Sequence, residues 1–138
     1  MEILNLPLSQ KFGIKISSNP EYLLEFNYSP FVKNHINTFH GGALYIFAET
    51  SSGFFLNENF QNLFDNIHPM LRSSKIKFSK PCQGHIYSKA KFFGNLKRKK
   101  SFLELQQNNK SLFITDITLY NESKNIICRG DFEWLVNV

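Results

Sequence analysis

Between Asp65 and Glu104 the sequence has no acidic residue. That interval nonetheless holds Arg72, Lys75, Lys77, Lys80, Lys89, Lys91, Lys97, Arg98, Lys99 and Lys100, ten of the chain's 16 Lys and Arg, while the other six cations face all 11 Asp and Glu. The formal charge of +5 is thus a basic sector set into a mildly acidic remainder, which points to an anionic partner such as nucleic acid, a phosphorylated small molecule or a membrane surface. A solvated sheet face is the alternative. Cysteine is scarce: Cys82 and Cys128 form neither a C-x-x-C nor a zinc-like spacing with histidine, which argues against a disulfide framework or a metal knuckle. Reduced thiols fit a cytoplasmic protein. The longest apolar run, Ala43 to Ala48, is too short to span a bilayer, and Met1-Glu2-Ile3 lacks the basic start of a signal peptide. Repeats, low-complexity tracts and Gly/Ser linkers are absent too, so a single domain over 1–138 is expected.

What is present is core material: 42% hydrophobic residues and 15 Phe among 138. A lead-in from Ile3 to Phe12 precedes expected strands at Ile14–Ser17 and Glu21–Tyr28, the second closed by Ser29-Pro30. Residues 42–57 lack proline and alternation and are apolar nearly all the way round, which predicts a helix buried on most sides. Beyond it, β-branched and aromatic stretches predict strands at Ser73–Lys80, Gly84–Phe93, Ser101–Gln107, Leu112–Tyr120 and Ile126–Val136. Lys75-Ile76-Lys77-Phe78 and Lys89-Ala90-Lys91-Phe92 alternate, with lysines outward. The class is α+β, an antiparallel sheet wrapped around one long helix. Phe93, Phe113, Tyr120 and Trp134, at varied phases, suggest further burial against a second copy.

Chemistry concentrates in Asn34-His35-Ile36-Asn37-Thr38-Phe39-His40-Gly41-Gly42 and the helix that follows. His40 and two glycines open that helix, where unpaired N–H groups and the positive dipole end can hold a developing negative charge. Glu49 stands alone in an apolar helix, where an ionised carboxylate is costly unless it has a partner or a task. Eight helical steps separate the α-carbons of Gly41 and Glu49 by about 12 Å. One helix cannot bring both to one carbonyl, so a shared site requires a dimer.

Asn34, five intervening residues, His40-Gly41-Gly42 and then Glu49 resemble the signature of hotdog-fold acyl-CoA thioesterases of the phenylacetyl-CoA/4-hydroxybenzoyl-CoA type. The Asn-His-x-Asn-Thr-x-x-Gly-Gly-Ala-Leu-Tyr form is also similar to a branch of uncharacterised hotdog proteins. The likeness extends through Phe78-Ser79-Lys80-Pro81 and the Gly84 turn, from about Ile14 onward. Hotdog dehydratases resemble the pattern less, since their helix is led by Pro-Gly.

The resemblance implies a hotdog fold and hydrolysis of an acyl thioester carried by CoA or acyl carrier protein, with no cofactor beyond the CoA of the substrate. Glu49 would be the catalytic carboxylate, as base or nucleophile; the Gly41 amide would be the oxyanion donor, with Gly42 beside it, and His40 and Asn34 would orient substrate or water. Ser73 or Ser74 would be the helper hydroxyl on the next strand. A homodimer or a dimer of dimers is implied. Asn37 replaces a frequent glycine, which suits its tolerance of left-handed dihedrals. Thr50-Ser51-Ser52-Gly53 is more polar than the family's usual run and would line a substrate tunnel or mark a drifted pocket. Lys97-Arg98-Lys99-Lys100 is expected in a loop between two strands, either solvated or holding CoA phosphates. Two other functions stay open: an acyl-thioester binding module without turnover, and a basic nucleic-acid-binding protein, the latter disfavoured because the sector's aromatics do not share a face with its lysines.

Overall fold

A computed structural model describes residues 2–61 and 67–138; Met1 and Asp65 lie outside the described residues. The chain opens with a short helix α1 (Pro7–Phe12), closed by Gly13 in the left-handed region, and then forms β1 (Lys15–Ile16) and β2 (Leu24–Asn27). The long helix α2 (Gly41–Phe60) follows. Next come β3 (His68–Phe78), β4 (His85–Phe92), a helix α3 (Asn95–Asn108), β5 (Lys110–Asn121) and β6 (Ile126–Asn137).

All strand pairings are antiparallel, in the order β1-β2-β4-β5-β6-β3. β5 is central, and its Phe113, Thr115, Ile117 and Leu119 point to the face that α2 crosses, as the two-residue period of a half-buried strand requires. Phe26, Phe47, Phe60, Phe113 and Phe132 are fully enclosed between helix and sheet. Burying each contributes about 1.5–3 kcal/mol. This is the expected α+β arrangement, with α2 three residues longer at its C-terminal end than the apolar run suggested.

β3 is an edge strand, and its alternation is accordingly weak. Ile76 is half-buried and Phe78 is exposed on the side facing α2, because no strand among the described residues pairs with that edge. Of the four aromatics expected to seek a second copy, Phe113 and Trp134 are buried in the chain's own core, while Tyr120 packs 5.7 Å from Tyr22. Only Phe93 is left largely exposed.

One expectation is overturned. Residues 101–107 are not a strand, and the basic run before them is not a hairpin loop; both belong to α3. Gly94 (φ 71) and Asn109 (φ 62) bracket the helix with left-handed backbone, and Asn95 to Asn108 contains no β-branched residue. Leu105 and Ser101 are buried, and Phe102 packs tilted at 5.2 Å from Phe60 and edge-on at 5.0 Å from Phe113. A helix spacing of three to four residues, hidden in a stretch that also reads as alternation, is what docks it.

Candidate active site

The segment before α2 is a tight loop organised by Asn34. Its Oδ1 accepts the N–H groups of Ile36 (3.1 Å) and Thr38 (3.0 Å), while Nδ2 donates to Thr38 Oγ1 (2.8 Å) and to the Phe39 carbonyl (3.3 Å). Both amide hydrogens and the carbonyl oxygen are thus committed to the loop. Asn37 turns the chain at φ 61, in line with the tolerance that its side chain confers. Phe39 N–H then bonds the Cys82 carbonyl (2.9 Å) and His40 N–H the Val32 carbonyl (2.7 Å), which pins the start of α2 between two other segments.

His40 is the helix cap: its Nδ1 accepts the Gly42 N–H at 2.8 Å. Ala43 and Leu44 donate to the His40 carbonyl. Gly41 is therefore the one position of this first turn whose N–H has no partner among the described residues. It opens onto a cavity of about 280 Å³ lined by Asn34, Thr38, Leu44, Phe78, Lys80 and others. The Phe78 ring stands 3.7 Å from where a Cβ on Gly41 would sit. Phe78 and Lys80 were not singled out from the sequence; only the Phe78-Ser79-Lys80-Pro81 strand end hinted at them.

Two turns further along α2, Glu49 is half-buried and makes no hydrogen bond or ion pair among the described residues. Burial, with no cation to offset it, pushes its carboxyl above the usual carboxylate range. A structural pairing with a buried Arg or Lys is thereby excluded among the described residues. Tyr45, midway between Gly41 and Glu49, hydrogen-bonds Ser74 Oγ on β3 at 2.7 Å. Neighbouring strand residues face opposite ways, so Ser74, opposite buried Phe132, looks toward α2, whereas Ser73, opposite Glu133, lies on the outer face.

The Ser51 and Ser52 hydroxyls of the polar turn after Glu49 are taken up in buried hydrogen bonds to the sheet. Ser51 Oγ donates to Ser88 Oγ (2.8 Å), Ser52 Oγ meets Thr115 Oγ1 (2.6 Å), and Trp134 Nε1 donates to Ser52 Oγ (2.7 Å), all buried. These hydroxyls fasten α2 to the sheet. Gly53 lets the Trp134 ring approach, within 3.4 Å of a notional Cβ.

Lys97, Arg98, Lys99 and Lys100 are not at this site in their own chain. α3 packs through Phe102 on Phe60, the last residue of α2, which is about 16 Å along the helix from Glu49 and farther still from Gly41.

The family model described as "Domain of unknown function (DUF4442)" matches residues 15–136. No curated protein matches the chain. Among solved structures it is similar to a protein of unknown function from Pseudomonas aeruginosa described as a probable thioesterase, at 18% identity over 98% of this chain and 90% of that one, with a TM-score of 0.77. The PaaI protein from the phenylacetic acid degradation operon of E. coli shares 15% identity over 94% of this chain and 83% of that one, with a TM-score of 0.70. A Bacillus halodurans protein whose structure was determined with CoA shares 18% identity over 82% of this chain and 69% of that one, with a TM-score of 0.64. The architecture they share with this chain is the hotdog fold.

Proposed function

The chain belongs to the DUF4442 family and carries the hotdog fold, and from that premise we propose that it hydrolyses an acyl thioester of CoA or of acyl carrier protein. The observation that carries this reading is the pair formed by a helix N-terminal N–H at Gly41 and a half-buried carboxyl at Glu49, both without a partner among the described residues. In the reaction, ionised Glu49 takes a proton from water as its oxygen attacks the thioester carbon. The Gly41 N–H donates to the oxyanion that forms, the C–S bond breaks, and the departing thiolate takes up a proton. His40 takes up the Gly42 N–H and leaves that of Gly41, a residue lining the cavity, without a partner among the described residues. Asn34 acts as a positioning residue through its loop, and Lys80 is the cation at the cavity that can meet a substrate phosphate.

Gly41 and Glu49 of one chain are too far apart to share a carbonyl, so the reading needs a second copy. Tyr45 is the midpoint between them, and its partner Ser74 lies beside the middle of β3, the uncovered edge of the sheet. A two-fold axis through the middle of β3 extends the sheet into the second copy and sets Gly41 of one α2 opposite Glu49 of the other. The described face of α2 and the open edge of β3 thus support a dimer with two shared sites. The Pseudomonas aeruginosa neighbour, described as a probable thioesterase, and the Bacillus halodurans neighbour, determined with CoA, support thioester chemistry in general terms.

The test is thiol release from a panel of acyl-CoAs. Release by the wild type that Glu49→Gln abolishes supports the reading; release unchanged in the variant removes Glu49 from it. Absence of release with every acyl-CoA and acyl carrier protein tried, together with saturable CoA binding, leaves a binding module.

A further inference from the structure

α3 presents an outer face that folding does not use. Ser101, Phe102 and Leu105 form its docked side. At 100° per residue, Leu96 and Leu103, seven positions apart, both point directly away from that side. They are 85% and 53% exposed. Lys99 flanks this leucine row on one side and Lys100 on the other, with Glu104 and then Lys97 farther round toward the docked side. None of these three lysines makes an ion pair among the described residues, and Arg98 is held over the Phe92 ring at 5.9 Å. Leu96 and Leu103 thus spend their apolar surface on solvent, amid cations that have no internal task.

We infer that the outer face of α3 is a docking surface for an anionic lipid bilayer. Aliphatic side chains at the centre of an exposed helical face with lysines along both flanks are the arrangement in which the leucines enter the acyl boundary and the lysines reach back to headgroup phosphates. The charge distribution favours the same contact. α3 itself carries four cations against one acid, Glu104, which accepts a hydrogen bond from Ser111 Oγ, so the helix as a whole is drawn to a negative surface. Nucleic acid would be met by stacking aromatics or hydrogen-bonding side chains in place of two leucines. No described helix is long and apolar enough to cross a membrane, so the contact is peripheral. This inference does not depend on the thioester reading.

Cosedimentation with vesicles tests it. The full chain should pellet with phosphatidylcholine vesicles containing phosphatidylglycerol and stay in the supernatant with phosphatidylcholine alone. Leu96→Asn with Leu103→Asn should weaken binding by roughly tenfold or more, and each of Lys99→Gln and Lys100→Gln by roughly fivefold, with unchanged circular dichroism. A Leu103→Trp variant should show emission shifted to the blue on adding anionic vesicles, against the constant background of buried Trp134. No pelleting with anionic vesicles at low salt would overturn the inference. So would binding that survives loss of both leucines, or an unshifted Leu103→Trp spectrum. Binding that soluble poly-glutamate displaces, with the leucines irrelevant, would assign the face to an acidic protein and also overturn the lipid assignment.

Discussion

His40 Nδ1 accepts the Gly42 N–H at 2.8 Å, and this one bond caps α2 while leaving the N–H of Gly41 without a partner among the described residues. The two functions usually merged at a helix start, capping and anion binding, are here divided between adjacent residues. Oxyanion stabilisation then rests on Gly41 alone, which can be altered without undoing the cap.

Gly41→Pro makes that separation measurable. Proline is well tolerated at the first helical position, and the extended backbone of His40 (φ −61, ψ 135) suits a following proline. The substitution removes the N–H with little change to the helix. Thermal midpoint should stay near wild type while kcat falls by about 10²–10³. Gly41→Ala, whose Cβ meets Phe78 at 3.7 Å, an ordinary contact, should retain most activity.

Glu49 should limit stability at neutral pH. Its folded pKa is raised by burial, so its contribution is fully present below the ordinary value of 4.5 and is lost as pH rises through the folded pKa. Glu49→Gln keeps the neutral form at every pH. Its thermal midpoint should exceed wild type at pH 7, and the difference should shrink to nothing below about pH 4. In wild type, kcat should rise with pH through an apparent pKa above the ordinary carboxylate value, and scanning calorimetry with pH-rate measurements checks both.

Asn37 sits at φ 61, so its side chain matters mainly through the backbone it permits. Asn37→Gly should be near neutral, whereas Asn37→Val should cost about 1–2 kcal/mol in urea unfolding. The damage should extend to the cavity, because this turn and Asn34 set the path into His40.

The buried hydroxyls should behave as structure. Ser52→Ala leaves Trp134 Nε1 and Thr115 Oγ1 without the acceptor and partner they share. A loss of about 1–3 kcal/mol in unfolding free energy is expected, with KM for acyl-CoA unchanged. A tunnel role would instead move KM.

The sequence made α2 legible because apolar residues on all sides leave few alternatives to a buried helix. It also made the Gly41–Glu49 separation legible, since helical rise is fixed. Asn37 was legible through its known dihedral tolerance. α3 was not, because Phe102, Leu103 and Leu105 satisfy both a strand and a short helix; only the flanking residues with positive φ and the absence of β-branching distinguish them. The pairing of Ser51 and Ser52 with residues 37 and 63 positions away is a tertiary fact that no local pattern carries. Neither is the exposure of Phe78, which follows from the place of β3 at the sheet edge.

The central claim is that Gly41 of one copy and Glu49 of another form one site, and mixing two inactive proteins tests it most directly. Gly41→Pro and Glu49→Gln are co-refolded and assayed for thiol release. Random pairing makes half the dimers mixed, and each mixed dimer holds one site with both groups intact, so about a quarter of wild-type activity should return. If the mixture stays as inactive as its components while the two chains demonstrably associate, the shared site is contradicted.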